Sequence, residues 1–464
     1  MTPKRVGTLS LALCSLSLAT GSAWGQESLL DIYQRALQND PAIREAEAAY
    51  LAAAEAKPQA RSALLPGLSL GAARSHTFVD IAGGAVVGGT GEVRGTGQER
   101  ETDQNSWSLN VTQTVFDWGQ FQQLKQADKI LARAQTEFEL ARQDLLIRVA
   151  NAYFNVLAAE DTLASQVAAR EAIGRQLEQA QRRFEVGLIA ITDVQDAQAG
   201  YDDAVAAEIE AQRQLATTQE FLREIIGEYV TELAGPVDDL PLLTPDPANV
   251  DEWVETALRQ NLALISTRIT ADIAQDAIGI QRAARLPTVS LTAGYNDSRS
   301  DQLSTIFFDD GTGQTLPSLV RPEGYNWSLD IRVPLYTGGF NRSRIRQSVY
   351  EHRAALEAVE RVQRQTERAT RDAFLGVTSS ISRVRALRQA VESARTALRA
   401  NEAGFEVGTR TTVDVLLAQN QLRLAETQYA RSRYDYIMNV LLLQEAAGGL
   451  TVEDVEQIDS WLQQ

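Results

Sequence analysis

The sequence is poor in residues that build reactive sites. Its 464 residues include one cysteine, Cys14, and two histidines, His76 and His352. One cysteine excludes an intrachain disulfide and a thiolate zinc site, and two histidines exclude a multi-histidine metal site. Neither histidine stands in a catalytic pattern, so both are interpreted as surface or structural residues. The protein is not expected to be an enzyme, and no cofactor or metal site is predicted.

Positive charge and long apolar stretches are also scarce. Lysine and arginine number 44 against 61 aspartates and glutamates, which gives a formal net charge of −17. No nucleic-acid partner is expected, because nucleic acids are bound mainly through cationic contacts with phosphate. After the N-terminal region, no apolar stretch reaches the roughly 18 residues that a transmembrane helix needs. If the chain enters a membrane, it must do so as a closed β-barrel.

Residues 1–25 have the pattern of a secretory signal peptide. Two cations precede an apolar stretch over residues 9–19, and the small residues Ala23 and Gly25 suit cleavage before Gln26. The apolar stretch is too short to span a bilayer. The pattern therefore predicts export from the cytoplasm.

The remainder of the chain contains an internal repeat. Three blocks recur in the same order at a separation of 220 or 221 residues: LP at 65 and 286, WSL at 107 and 327, and FEVG at 184 and 405. Such spacing predicts two halves with one architecture. A proline-rich segment lies between them. The predicted divisions are a first repeat over 26–228, a linker over 229–250, a second repeat over 251–448 and a tail over 449–464.

Each half contains one predicted pair of strands. Apolar and polar residues alternate from Leu68 and again from Trp107, which is the period of a strand with one apolar face. The second half repeats this pattern, and loops at 78–104 and 297–324 separate the strands of each pair. A soluble sandwich shows the same alternation. Trp and Tyr near strand ends, together with long loops, favour a membrane barrel.

Helix-forming sequence fills the rest of each half. Helices are expected over 29–38 and from residue 41 to about 65, where Asp40 and Pro41 provide a helix start. Long proline-free stretches at 121–183 and 341–403 predict helices of roughly 60–65 residues, or about 90–100 Å. A helix of roughly 35 residues follows each FEVG block. A helix of about 25 residues is expected before the first strand of each half. Stacked end to end, the two shorter helices would together be as long as one long helix.

One chain cannot close a barrel with its four predicted strands, because an open edge in lipid leaves backbone groups unpaired. Several copies must therefore join, and strand number alone allows two or three. The sequence resembles the TolC family of outer-membrane efflux and secretion channels. The matching segments are RFEVGLIAITDVQDAQAGY at 183–201, FEVGTRTTVDVLL at 405–417 and QEAAGGL at 444–450.

The resemblance implies a mostly α protein with membrane β structure. Its expected form is a homotrimeric outer-membrane β-barrel, with four strands per chain, continued by a long periplasmic α-helical barrel of coiled-coil hairpins. The implied function is a passive exit duct of a tripartite efflux pump or type I secretion system in a Gram-negative bacterium. The implied partners are outer-membrane lipid, a periplasmic adaptor protein and an inner-membrane pump or ABC transporter. The alternative is a soluble periplasmic coiled-coil adaptor or scaffold, and neither reading identifies the cargo.

A gate is predicted where the FEVG blocks form turns between helices. Gly187 and Gly408 suit a helix end or a positive φ. Three copies would place Asp193 and Asp414, beside Thr192, in a ring of up to six carboxylates that attracts cations. The same aspartates also suit the start of a helix, so capping is an open alternative.

The resemblance also implies a link through Arg410 between neighbouring helix pairs, and Asp193 is its expected partner. Family members often carry a second acidic residue where this chain has Leu417. Asp196, the equivalent position of the other repeat, is expected to replace it, unless Asp196 is only a solvated helix residue. The family's gate tyrosine is Phe405 here, so its hydroxyl is lost.

Apolar residues beside the first turn give a further prediction. Leu188 and Ile189 are expected to be exposed, whereas the second repeat has Thr409 and Arg410 at the equivalent positions. A groove there could receive an adaptor. Ordinary packing within the hairpin is the alternative.

Overall fold

The computed structural model describes residues 26–82, 97–230, 232–237, 239–307 and 312–462. The predicted signal peptide lies outside these ranges. The described elements, in chain order, are α1 (Leu29–Asn39), α2 (Pro41–Ala54), α3 (Ala56–Ser62), β1 (Gly67–Ala82), β2 (Gly97–Phe116), α4 (Trp118–Glu185), α5 (Ile191–Ile226), α6 (Val250–Gln260), α7 (Leu262–Ala283), β3 (Thr288–Phe307), β4 (Gly313–Val320), β5 (Glu323–Arg332), α8 (Phe340–Glu406), α9 (Thr412–Ala447) and α10 (Val452–Asp459).

The strands form one antiparallel sheet with four strand positions. β1 pairs with β2, β2 with β3, and β4 and β5 both pair with β3. The fourth position is divided at Pro322, because proline has no N–H to donate to the ladder. The Ser298 N–H donates to the Pro322 carbonyl at 3.0 Å and bridges the break. The predicted four strands are present, with the last one in two segments.

The strands extend far into the predicted loops, so the loop boundaries at 78–104 and 297–324 were wrong. β1 and β2 remain paired as far as Ala82 and Gly97, and residues 83–96 between them lie outside the described ranges. β3 and β4 remain paired as far as Phe307 and Gly313. Backbone pairing continues there because it satisfies N–H and C=O groups whatever the side chains are. The prediction relied on apolar alternation, which fades in these polar segments.

The register gathers apolar residues of all four strand positions on one face. One row across the sheet consists of Leu70, Leu109, Tyr295 and Tyr325, and the next row, on the opposite face, consists of Ser69, Asn110, Gly294 and Asn326. The large apolar side chains of the first row are exposed in the single chain. The sheet therefore has the predicted apolar and polar faces, and its apolar face is uncovered.

Two long helices dominate the rest of the molecule. α4 has 68 residues and α8 has 67, so each is about 100 Å long. α7 packs against both near their starts, and α5 and α9 pack along the remainder of α4 and α8, respectively. Short helices thus cover each long helix, as predicted. None of the described helices combines the length and the apolarity needed to cross a bilayer.

The predicted helix from residue 41 to about 65 is wrong in one respect, since it is divided into α2 and α3. Asp40 caps α2 as expected, accepting from the Ala42 N–H at 3.4 Å. The division follows from Pro58, which lacks an N–H and whose ring would collide with the carbonyl of residue 54 in a continuous helix.

The main apolar core lies midway along the long helices. There α1, α10 and the segment between the two halves pack against the centres of α4 and α8. Tyr153 of α4 is fully buried, and its hydroxyl donates to the Ala234 carbonyl at 2.7 Å, with the Glu27 carbonyl at 3.0 Å. This side chain fastens the N-terminal segment and the linker to the long helix.

Replacing Tyr153 with Phe should destabilise the protein by about 1–3 kcal/mol, because the buried Ala234 carbonyl loses the hydroxyl that donates to it at 2.7 Å. Tyr50→Phe is the matched control, since in the described chain the Tyr50 ring stacks on Phe138 but its hydroxyl makes no hydrogen bond. Urea unfolding of both variants measures the difference. Equal stability of the two variants would contradict the role assigned to the Tyr153 hydroxyl.

Candidate functional site

Both long helices end in the same turn at the tip far from the sheet. Gly187 follows α4 with φ 74°, and Gly408 follows α8 with φ 79°. The next N–H in each case closes the turn, from Leu188 to the Arg183 carbonyl at 2.9 Å and from Thr409 to the Gly404 carbonyl at 2.8 Å. Only glycine adopts this conformation without strain. The turn reverses the chain so that α5 and α9 return along α4 and α8.

Asp414 is tied to the start of α9 by a capping box. Its carboxylate accepts from the Thr411 N–H and the Thr411 hydroxyl, both at 2.9 Å, and the Asp414 N–H donates to that hydroxyl at 3.2 Å. These bonds, with the nearby charge of Arg410, lower the pKa of Asp414. Its contribution to the helix start is therefore complete at neutral pH and is lost only as the pH falls through the lowered pKa.

Asp193 has the equivalent position in α5 but fewer bonds. Its carboxylate accepts from the Ala190 N–H at 3.3 Å, and Ala190 has no hydroxyl to add a second bond. Thr192 and Asp196 lie exposed on the first turns of α5, and within the described chain neither side chain makes a hydrogen bond or an ion pair. Of the aspartates that begin the two returning helices, Asp193 is the less restrained.

Ile189 is partly buried, so its prediction as an exposed residue was wrong. It packs against a small cluster that includes Leu177 and Val194. Ile189 directly precedes the N-cap Ala190, and Val194 is the fourth helical residue, so the two form the contact known as a hydrophobic staple. Leu188 points away and is 73% exposed.

Arg410 stands where the first repeat has Ile189, and it lies against Gly404. A β-carbon added at Gly404 would be 2.6 Å from the Arg410 Cγ, so glycine is needed for this arrangement. Within the single chain, no ion pair among the described residues joins Arg410 to Asp193. The link expected from Arg410 of one hairpin to Asp193 of another is not formed within the described chain, and between copies it stays a prediction.

A contact that the sequence analysis missed connects the two hairpins. The Arg183 guanidinium lies 4.7 Å from the centre of the Phe405 ring, so the last turns of α4 and α8 meet in a cation–π contact. Arg183 and Gly404 are equivalent positions of the repeat. Aligning the two repeats could have indicated this difference at the tip. Arg183 has no basic counterpart in the second half, and Arg410 has none in the first.

Comparisons with known proteins agree with the duplicated architecture. A family model described as "Outer membrane efflux protein" matches residues 32–228 and 253–449. The outer membrane protein TolC of Vibrio cholerae is 37% identical over 454 residues, covering 98% of this chain and 97% of that protein. The alkaline protease secretion protein AprF of Pseudomonas aeruginosa is 28% identical over 432 residues, covering 93% and 86%.

A solved structure supports the fold independently. The outer membrane protein VceC of Vibrio cholerae matches with a TM-score of 0.69 at 20% identity, covering 91% of this chain and 96% of that one. At such low identity, this match supports the fold alone.

Gly408→Ala should loosen the second turn, because left-handed backbone costs a non-glycine residue about 1–2 kcal/mol. Hydrogen–deuterium exchange of the amides at 404–410 should accelerate roughly 5- to 30-fold. Gly235→Ala is the control, since Gly235 also has open space around it but has no positive φ. Unchanged exchange in Gly408→Ala would show that φ does not constrain the turn.

Proposed function

Since this chain belongs to the outer membrane efflux protein family, we propose that three copies of its mature form build a duct that is gated at the helical tip. The protein is an outer-membrane exit duct of the kind that serves efflux pumps and type I secretion systems of Gram-negative bacteria. Substrates would pass through it passively, from an inner-membrane transporter to the exterior.

The uncovered sheet is the observation that carries the assembly of several copies, and the number three comes from the family resemblance. In the described chain β1 pairs only with β2, and β4 and β5 pair only with β3, so the sheet has two open edges and an exposed apolar face. Unpaired edges are prohibitively unfavourable in lipid. Joining β1 of one copy to β4 and β5 of the next would close both edges, and lipid would cover the apolar face. Three copies would supply twelve strand positions, a common size for outer-membrane barrels.

The helices would continue this barrel as a tunnel about 100 Å long. At its tip, Gly187 and Gly408 would shape the hairpin ends that a periplasmic adaptor contacts, and Leu188 is an exposed apolar side chain available for that contact. Ile189 would support the contact only indirectly, because it packs inside its own hairpin. The inner-membrane pump or ABC transporter would determine the cargo.

The gate would depend on charged residues of the returning helices. Asp193 and Asp414 of three copies would form a carboxylate ring that favours cations. Asp196 would add a second ring in place of the acidic residue missing at Leu417, with Thr192 beside Asp193. The tip would be held closed by Arg410, reaching Asp193 of a neighbouring copy.

Phe405 would contribute to closure without a hydroxyl. Its contact with Arg183 offers a way to hold the aromatic ring that requires no hydrogen bond. The two hairpins of one copy would then move together at the tip.

The decisive experiment determines the mass and conductance of the purified mature protein. We expect a trimer in detergent and discrete, cation-selective channels in planar bilayers, with weaker cation selectivity in Asp414→Asn because the ring loses three charges. Glu406→Gln, a change of the same size on the exposed last turn of α8, is the control. A monomer that forms no channels would overturn the proposal.

Arg410→Ser should raise the mean single-channel conductance, because the link that holds the tip closed is lost. Arg182→Ser is the matched control, since Arg182 lies on the same tip, is 81% exposed and, among the residues that the structure describes, pairs only with Glu178 of its own helix at 3.8 Å. Equal conductance of Arg410→Ser and the unmodified channel would refute the role of Arg410 in the gate.

A further inference from the structure

The sheet brings together three metal-ligating side chains far from the tip. His76 of β1 is paired directly with Asp103 of β2, and Glu101 lies two residues along β2 on the same face. The His76 Nδ1 is 3.1 Å from an Asp103 carboxylate oxygen, and the Nε2 is 3.7 Å from a Glu101 oxygen. One ligand atom from each residue can be chosen so that all lie within 4.8 Å of one another.

The strand pairing holds the three side chains in this arrangement. β2 is paired on both sides, with β1 and with β3, and the three residues lie well inside the paired region. Their Cα positions are therefore fixed by the ladder, and only the side-chain rotamers have to adjust to a ligand. The backbone of these residues is therefore held in position more strongly than the backbone of a loop.

Charge on this face favours a cation. Asp103 is paired on its other side with Asp301 of β3, and like charges directly opposite each other destabilise a sheet. Asp301 has Arg299 at 3.4 Å. In the part of the chain that the structure describes, His76 is the only basic side chain within 4.0 Å of Asp103 or Glu101. If its imidazole is neutral, neither carboxylate has a cationic side chain within 4.0 Å in the described chain.

The ligand set identifies the class of cation. One imidazole nitrogen with two carboxylate oxygens suits zinc and similar divalent transition metals, whereas calcium and magnesium prefer oxygen ligands alone. Two carboxylates also neutralise a divalent charge. Three protein ligands would leave a coordination position for water.

The cluster lies on the apolar face of the sheet, between Trp107 and the end of the β1–β2 pair, with the exposed Phe78 opposite Glu101. Asp103 is four residues from Trp107 on the same strand, so about 13 Å separates them. His76, Glu101 and Asp103 are each about half exposed. The three side chains are therefore accessible to a metal ion in the described chain.

We propose that His76, Glu101 and Asp103 form a binding site for a divalent transition-metal cation, with zinc as the expected ligand. The site depends on the pairing of β1 with β2 and does not rest on the proposed duct. This mixed site requires neither a thiolate nor a second histidine, so the low numbers of cysteine and histidine do not exclude it.

Zinc titration followed by NMR of the histidine rings tests the proposal. The mature trimer has only two histidines per chain and no cysteine after the predicted signal peptide. With Zn²⁺ as the probe, the His76 ring nitrogens should move to the metal-bound range at about one zinc per chain. The His352 signal should not move, since its Nδ1 lies 3.2 Å from the Ala271 carbonyl on a different part of the molecule.

The variants separate coordination from surface charge. Asp103→Asn and Glu101→Gln should each weaken zinc binding roughly tenfold or more, since losing even an outer-shell partner costs about 10–100-fold. Glu99→Gln, which removes a carboxylate two residues further along β2, and His352→Gln should keep the affinity. Circular dichroism and thermal unfolding show that each variant is folded.

Two results would overturn the site. One is a His76 signal that does not move in excess zinc, which would leave the cluster as an ion-pair network of an imidazolium and two carboxylates. The other is an equal loss of affinity in Glu99→Gln and Asp103→Asn, which would indicate diffuse attraction of cations to the acidic face. Neither result bears on whether the trimer conducts.

Discussion

Backbone N–H and C=O groups at the edge of a sheet need partners, and in lipid no water can provide them. The sheet of this chain has four positions, and within the described residues both outer positions are paired on one side only. The exposed apolar row adds a second constraint, because it has to be covered. Assembly, symmetry and the rings of charge proposed at the tip all depend on copies of this chain closing the sheet.

Duplication produced two hairpins with one geometry, and substitutions at a few positions made them different. Glycine with positive φ ends each long helix, and an aspartate three residues into each returning helix accepts from the N-cap N–H. The first hairpin then uses Ile189 as an apolar staple, whereas the second has Arg410 beside Gly404. One hairpin is thus packed internally, and the other presents a cation.

The two repeats are connected mainly at the middle of the molecule, between the sheet and the tip. The two long helices, the N-terminal segment and the linker share one core there, and Tyr153 reaches carbonyls of both segments. A smaller connection at the tip joins Arg183 to Phe405. These contacts hold the two repeats of one chain as neighbouring hairpins, so that a gate would open by movement between copies.

The sequence by itself determined the duplicated order, the long helices, the alternating strands and the turn glycines, because each is encoded by a local period or a local backbone requirement. Pro58 also encodes the division between α2 and α3, which the prediction overlooked. Tertiary structure alone decided how far the strands remain paired, that Ile189 is partly buried, and that His76 faces Asp103. Those features depend on which distant residues become neighbours. Register and helix packing set such contacts, and no period within a single segment records them.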